Sequence, residues 1–258
     1  MTQATLTIHL HEATERDEQG LKILEEIVDK NHAVALAFGV DNVEAWQQKR
    51  RFYGHVKYLV GAQNVSLVQR GYRNRCLNEH TIRDPHHENK CSTLLNGRVD
   101  AGSQRKDIWL GKTRIEFSMG KEPVAYCPPN SLYDEMTVGM AKDLGYTHFT
   151  VPSVLPAFPY KPKDRIIIVP QTALARYGVG RHAYAHLDQL PELGRNGKLK
   201  QHLEQGLMPL TAVEKEPWVG YQVLNQTFLL PANRVLHYGY IQMRDARRAI
   251  QRYLKKLA

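Results

Sequence analysis

Polar and apolar side chains alternate through Thr5-Leu6-Thr7-Ile8-His9-Leu10, the period-two signature of a strand with two unlike faces. Thr14, with Asp17 three residues on, has the form of a capped helix start. Leu21, Leu24, Ile27 and Val28 then repeat at helical spacing. This is a strand followed by a helix. Ala33 to Val40 is a continuous apolar run of strand length, as expected where a strand of a parallel sheet is covered on both faces. Val43 to Tyr53 reads as a helix, and Asn64 to Gln69 as a further strand.

The segment from Gly71 to Val99 carries no periodic pattern and is dense in His, Arg and Asn, which favours a functional loop over a connector. Asp100 to Met119 returns to a helical pattern, with Ile108, Trp109, Ile115 and Phe117 available for its buried side. Strands are expected at His148-Phe149-Thr150-Val151 and at Arg165 to Val169, separated by a proline-rich turn. The repeating strand–helix rhythm predicts a parallel sheet, open or closed into a barrel. Beyond Pro191 the pattern weakens until Met243, Ala246, Ile250, Tyr253, Leu254 and Leu257 form an apolar stripe on a terminal helix. One domain over residues 1–258 is expected, with the helix at about 240–258 packed on it.

One strand–turn–helix unit is more specific than the rest. Ala125-Tyr126-Cys127 runs into Pro128-Pro129-Asn130. A helix then starts at a Ser/Asn cap with Asp134 and Glu135 in its first turn, and stops at Leu144-Gly145-Tyr146. This stretch resembles the polysaccharide deacetylase family, carbohydrate esterase family 4, whose motif reads aromatic-Arg-Pro-Pro and leads into a helix ending in Gly-Tyr or Gly-Phe. Cys127 stands at the arginine position. Leu10-His11-Glu12, His80-Thr81 with His86 and His87, and Ala185-His186-Leu187-Asp188 follow the order of the family's remaining motifs, over roughly Thr5 to Leu190. The resemblance implies an α/β fold, a distorted (β/α) barrel of the polysaccharide deacetylase type with fewer than eight strands.

It also implies roles. Glu12, His80 and His86 would hold a divalent metal, most readily zinc, with His87 an alternative to His86. His11 would be the base and His186 the acid that protonates the leaving amine. Tyr126, Pro128, Pro129 and Asn130 would contact substrate. The residue types suit the chemistry, because a carboxylate oxygen and neutral imidazoles bind zinc, and imidazole accepts a proton from water. Read from the strand alone, His9 and His11 are two apart and present both rings on one face. Cys127, beside an apolar strand, reads as a small buried hydrophobe.

The chain has 258 residues, 42% of them hydrophobic, which suffices for one full core. The 20 N-terminal residues show neither a basic n-region nor an apolar h-region, and no stretch approaches the ~20 apolar residues of a membrane span, so a soluble, cytoplasmic protein is expected. Cys76, Cys91 and Cys127 form no Cys-x-x-Cys pair, which argues against a disulfide scaffold or a thiolate zinc site. The formal charge of +9 is uneven: Lys49, Arg50, Arg51, Lys57, Arg70, Arg73 and Arg75 share a stretch without one acid, and six bases crowd the tail from Arg244 to Lys256. Such patches attract anions and leave nucleic acid open as a partner.

Together these readings imply a metal-dependent hydrolase that cleaves an amide C–N bond, with an N-acetylated sugar or related small amide as substrate. The rival is a catalytically degenerate relative that binds a carbohydrate or an anionic ligand.

Overall fold

The computed structural model describes residues 4–11, 13–71, 101–128, 133, 135–153, 159, 161, 165–177 and 182–214. Glu12, His80, His86, His87, Pro129, Asn130 and the expected helix at 240–258 lie outside them.

Seven strands, β1 (Thr5–His9), β2 (Val34–Phe38), β3 (Val65–Arg70), β4 (Ala125–Cys127), β5 (His148–Ser153), β6 (Ile167–Ala173) and β7 (His182–His186), pair in sequence order. Every pairing is parallel, and β7 returns to β1 to close the barrel. Closure removes both sheet edges.

Side-chain parity along each strand divides the core in two. Leu6 and Ile8 of β1, Leu36 and Phe38 of β2, and Leu67 of β3 face outward and pack with the helices in one large apolar cluster. Ala35, Ala37, Val68, Ala125, Cys127 and Val169 fill the inside. Polar residues share that interior: Gln171 Nε2 donates to Thr7 Oγ1 at 2.7 Å, and Thr5 Oγ1 lies 3.1 Å from His182 Nδ1. The alternation read along Thr5 to Leu10 is thus barrel lumen against helix layer.

The outer layer begins with α1 (Glu15–Asp29), whose Thr14 cap and Asp17 form the reciprocal capping pair read from the sequence. The single helix expected from Val43 to Tyr53 is instead two, α2 (Val40–Gln47) and α3 (Arg50–Gly61). The break at Lys49, with φ −108° and ψ 72°, has a packing reason. Six residues apart on one continuous helix, Trp46 and Phe52 would point to different faces. The turn brings their rings to 5.6 Å, and both are buried.

Helix α4 (Ala101–Met119) precedes β4. Helix α5 (Glu135–Asp143) ends at Gly145, whose φ of 86° requires glycine, and the Gly145 and Tyr146 amides donate back to Lys142 and Ala141. After α6 (Leu174–Tyr177) and β7 come two short helices where the sequence pattern weakened, α7 (Leu190–Arg195) and α8 (Lys198–Leu203). The chain then passes under the amino ends of the strands. Leu210 and Val213 join the lumen cluster there, and His148 Nε2 donates to Val213 O at 2.8 Å. That end is plugged, and the carboxyl ends, called the mouth below, lie at the other end of the barrel. No described helix is long and apolar enough to cross a membrane.

Candidate functional site

Adjacent strands place three histidines at the mouth. His9 is the last residue of β1 and His11 follows two positions on, so the two share a face. His186 ends β7 and pairs in register with His9. One donor nitrogen from each of the three rings lies within 4.8 Å of the other two. Among the described residues this is the one group of its kind.

The rings meet specifically. His11 Nε2 and His186 Nδ1 are 2.7 Å apart, with ring planes 24° from parallel, so one proton is held between them. His9 lies 5.5 Å from His186 and 5.1 Å from Tyr184, centroid to centroid. It is 3% exposed, and its Nδ1 is buried with no hydrogen-bond partner among the described residues. A buried nitrogen lone pair or N–H left unmade costs roughly 1–3 kcal/mol, a cost that a ligand would remove.

Arg70, the last residue of β3, completes the cluster. Its Nη1 is 3.1 Å from His11 Nδ1 and 3.0 Å from His11 Nε2. The lone pairs of those two nitrogens diverge, so one donor cannot lie along both. The guanidinium therefore sits over the imidazole face, in the manner of a cation on a ring. It also favours the neutral ring. Burial, then Arg70, then His186 push the His11 pKa down to about 3. Burial first and Arg70 second also lower His186 and, more strongly, His9. Three neutral imidazoles face one another, the protonation state that binds metals.

The backbone of His11 is anchored as well. Its carbonyl accepts from Trp46 Nε1 at 2.9 Å and from Asn42 Nδ2 at 3.1 Å, both on α2. Asn42 is itself held by accepting from Gly39 N at 2.9 Å. The start of α2 thus fixes the loop after β1.

Of the residues singled out in the sequence, the structure brings His11 and His186 together, and adds His9. Cys127 lies at the same end on β4, 2% exposed, its thiol pKa raised by burial against the opposing pull of Arg70. Tyr126 has the opposite parity: it packs among Tyr146 and Phe149 in the outer layer, 4% exposed, with burial raising its phenol pKa. Pro128 follows at the strand end. Glu12, His80, His86, Pro129 and Asn130 fall outside the described residues.

Sequence reasoning grouped Arg70 with a basic run and missed its place at the mouth. Register explains it: Arg70 pairs directly with Cys127 across β3 and β4. Arg70 thus places a cation at the end of β3, beside Cys127. Its signal was the position of Arg70 as the charged terminus of a strand.

No family model matches the chain, and no curated protein matches it. Solved structures do. A 4-alpha-glucanotransferase from Thermococcus litoralis is similar at 12% identity and a TM-score of 0.56 over 81% of this chain, which spans 40% of that enzyme. A carbohydrate esterase family 4 pseudoenzyme from Bacillus anthracis matches at 14% identity and a TM-score of 0.50, covering 82% of this chain and 65% of its own; its mutant with restored enzymatic activity matches at 0.51. A peptidoglycan N-acetylglucosamine deacetylase matches at 14% identity and a TM-score of 0.50, over 83% of this chain and 90% of that one. The chain folds as the seven-stranded (β/α) barrel found in carbohydrate esterase family 4 deacetylases.

Proposed function

We propose that this protein is a divalent-metal hydrolase that cleaves the amide C–N bond of an N-acetylated sugar or a related small amide. The observation that carries the reading is the convergence of neutral imidazoles, from β1, the residues just after it and β7, at the carboxyl ends of the strands of a closed parallel barrel. Active sites of parallel barrels lie at the carboxyl ends of the strands, and that is where these residues stand.

The donor set suits zinc: imidazole nitrogens bind it, and His9 offers a buried nitrogen with no hydrogen-bond partner among the described residues. A bound zinc-like ion would act as a Lewis acid on the scissile carbonyl and would acidify water. The chain itself does the rest of the positioning. Trp46 and Asn42 fix the His11 peptide, and Arg70 covers one face of its ring and sets a fixed positive charge beside the place where an acyl oxygen would gain negative charge. The similarity in fold to a deacetylase of N-acetylglucosamine residues supports a carbohydrate substrate.

The test pairs metal analysis with hydrolysis. Protein purified without added metal or a histidine tag should carry or take up one zinc-like ion per chain and release acetate from N-acetylglucosamine oligomers, with loss of release after chelation and recovery on zinc return. Metal uptake without hydrolysis of any N-acyl sugar would favour the rival, a catalytically degenerate barrel that binds a carbohydrate or anion.

A further inference from the structure

The structure assigns the metal to a three-histidine site, His9, His11 and His186, built across the closing seam between β1 and β7. The assignment rests on the proposed metal dependence, and it places the ion on residues to which the family motifs give other roles or none. His9 has no counterpart in the motif order, and His11 and His186 become ligands in place of base and acid.

Four observations converge. The donor nitrogens lie within 4.8 Å of one another. In a tetrahedral zinc site, with Zn–N of about 2.0–2.1 Å, donors stand roughly 3.3 Å apart. The 2.7 Å His11–His186 contact therefore opens slightly and the remaining separations close by small ring rotations. Next, the backbone fixes the spacing: His186 on β7 is the register partner of His9, and His11, two residues beyond the end of β1, is anchored through its carbonyl to Trp46 and Asn42 of α2.

The third observation is that Nδ1 of His9 is buried and, among the described residues, has no hydrogen-bond partner. The fourth is the placement of Arg70 over the ring of His11, off its donor edge, so the cation need not be displaced for the ring to bind. Ligation costs no proton. Each neutral imidazole already has one free-electron-pair nitrogen, and the proton now held between His11 and His186 moves to the outward nitrogen of its own ring as the tautomer changes.

Cobalt(II) titration of the metal-free full chain tests the site. Wild type should bind one cobalt with the intense visible absorption of a four-coordinate nitrogen site, displaced by one equivalent of zinc. His9→Ala, His186→Ala and His186→Gln should each lose at least 100-fold in affinity, whereas His80→Ala and His86→Ala should keep both stoichiometry and spectrum. Circular dichroism accompanies every variant, and because His186 is partly exposed, His186→Gln decides the matter should His9→Ala unfold. Unchanged cobalt binding in His186→Gln, loss of binding in His80→Ala, or no binding in wild type would each overturn the assignment. Acetate release, read separately, tells its failure from that of the hydrolase reading: hydrolysis that persists with a metal held by His80 sinks only the assignment, and a three-histidine metal without hydrolysis sinks only the reaction.

Discussion

The peptide of His11 is held as well as its side chain. Its carbonyl accepts two hydrogen bonds from α2, through Trp46 Nε1 and Asn42 Nδ2, in a part-buried setting. Trp46→Phe keeps most of the apolar packing against Phe38 and Phe52 and removes one of those donors. It should lower unfolding free energy by about 1–2 kcal/mol, measured by urea denaturation, and weaken cobalt binding about tenfold. Unaltered cobalt affinity would show that the second donor, Asn42, suffices. At this scale the sequence was legible where a residue's partner is close in the chain. His9 and His11 announce a shared face by spacing alone. The place of His186 beside His11 was legible only through motif order, because 175 residues separate the two. Arg70 was not legible: its meaning comes from register with Cys127 and from contact with His11, neither of which is written in local pattern.

Elements whose pattern matched their own period were readable, and those shaped by packing were not. Helix α1 is the readable kind. Its capping pair places Thr14 Oγ1 as acceptor for Asp17 N and the Asp17 carboxylate as acceptor for Thr14 N at 2.9 Å. Thr14→Ala should therefore cost about 1 kcal/mol in thermal or urea unfolding, with no change in metal binding. The same helix has a less visible requirement. Gly20 is buried where α1 crosses the turn after β7, and a Cβ there would overlap the carbonyl oxygen of Leu187. Gly20→Ala, which would favour an isolated helix, should instead destabilise the protein by about 1–3 kcal/mol, since backbone must move. An increase in melting temperature would contradict that close approach. The split of α2 from α3 belongs with Gly20, because the burial of Trp46 and Phe52 decided it over helical continuity.

Across the whole molecule, polar side chains line much of the barrel lumen, and two buried histidines at the plugged end tie it together. His148 donates from Nε2 to Val213 O at 2.8 Å, and His202 does the same to Thr5 O at 3.1 Å. Burial lowers the pKa of both below the ordinary 6.5, although each backbone hydrogen bond pulls the other way. Below pH 6.5 the unfolded chain therefore binds protons that the folded chain refuses. Stability should be complete above about pH 6.5 and fall as the pH drops, by up to about 1.4 kcal/mol per unit for each ring that stays neutral in the fold. Urea midpoints at pH 7.5, 6.5 and 5.5 would show it, and a flat profile would contradict it. The pairing of β1 with β7 has a kinetic side. His9 and His186 become neighbours only when the first strand meets the last, the most distant pairing along the chain and the most expensive in loop entropy. The imidazole cluster is thus absent until the barrel is whole, so a metal bound there recognises only the finished fold and clamps its two ends, raising stability with the logarithm of its concentration. In a refolding experiment the cobalt spectrum would appear with the final phase, which makes the site a timer of barrel closure.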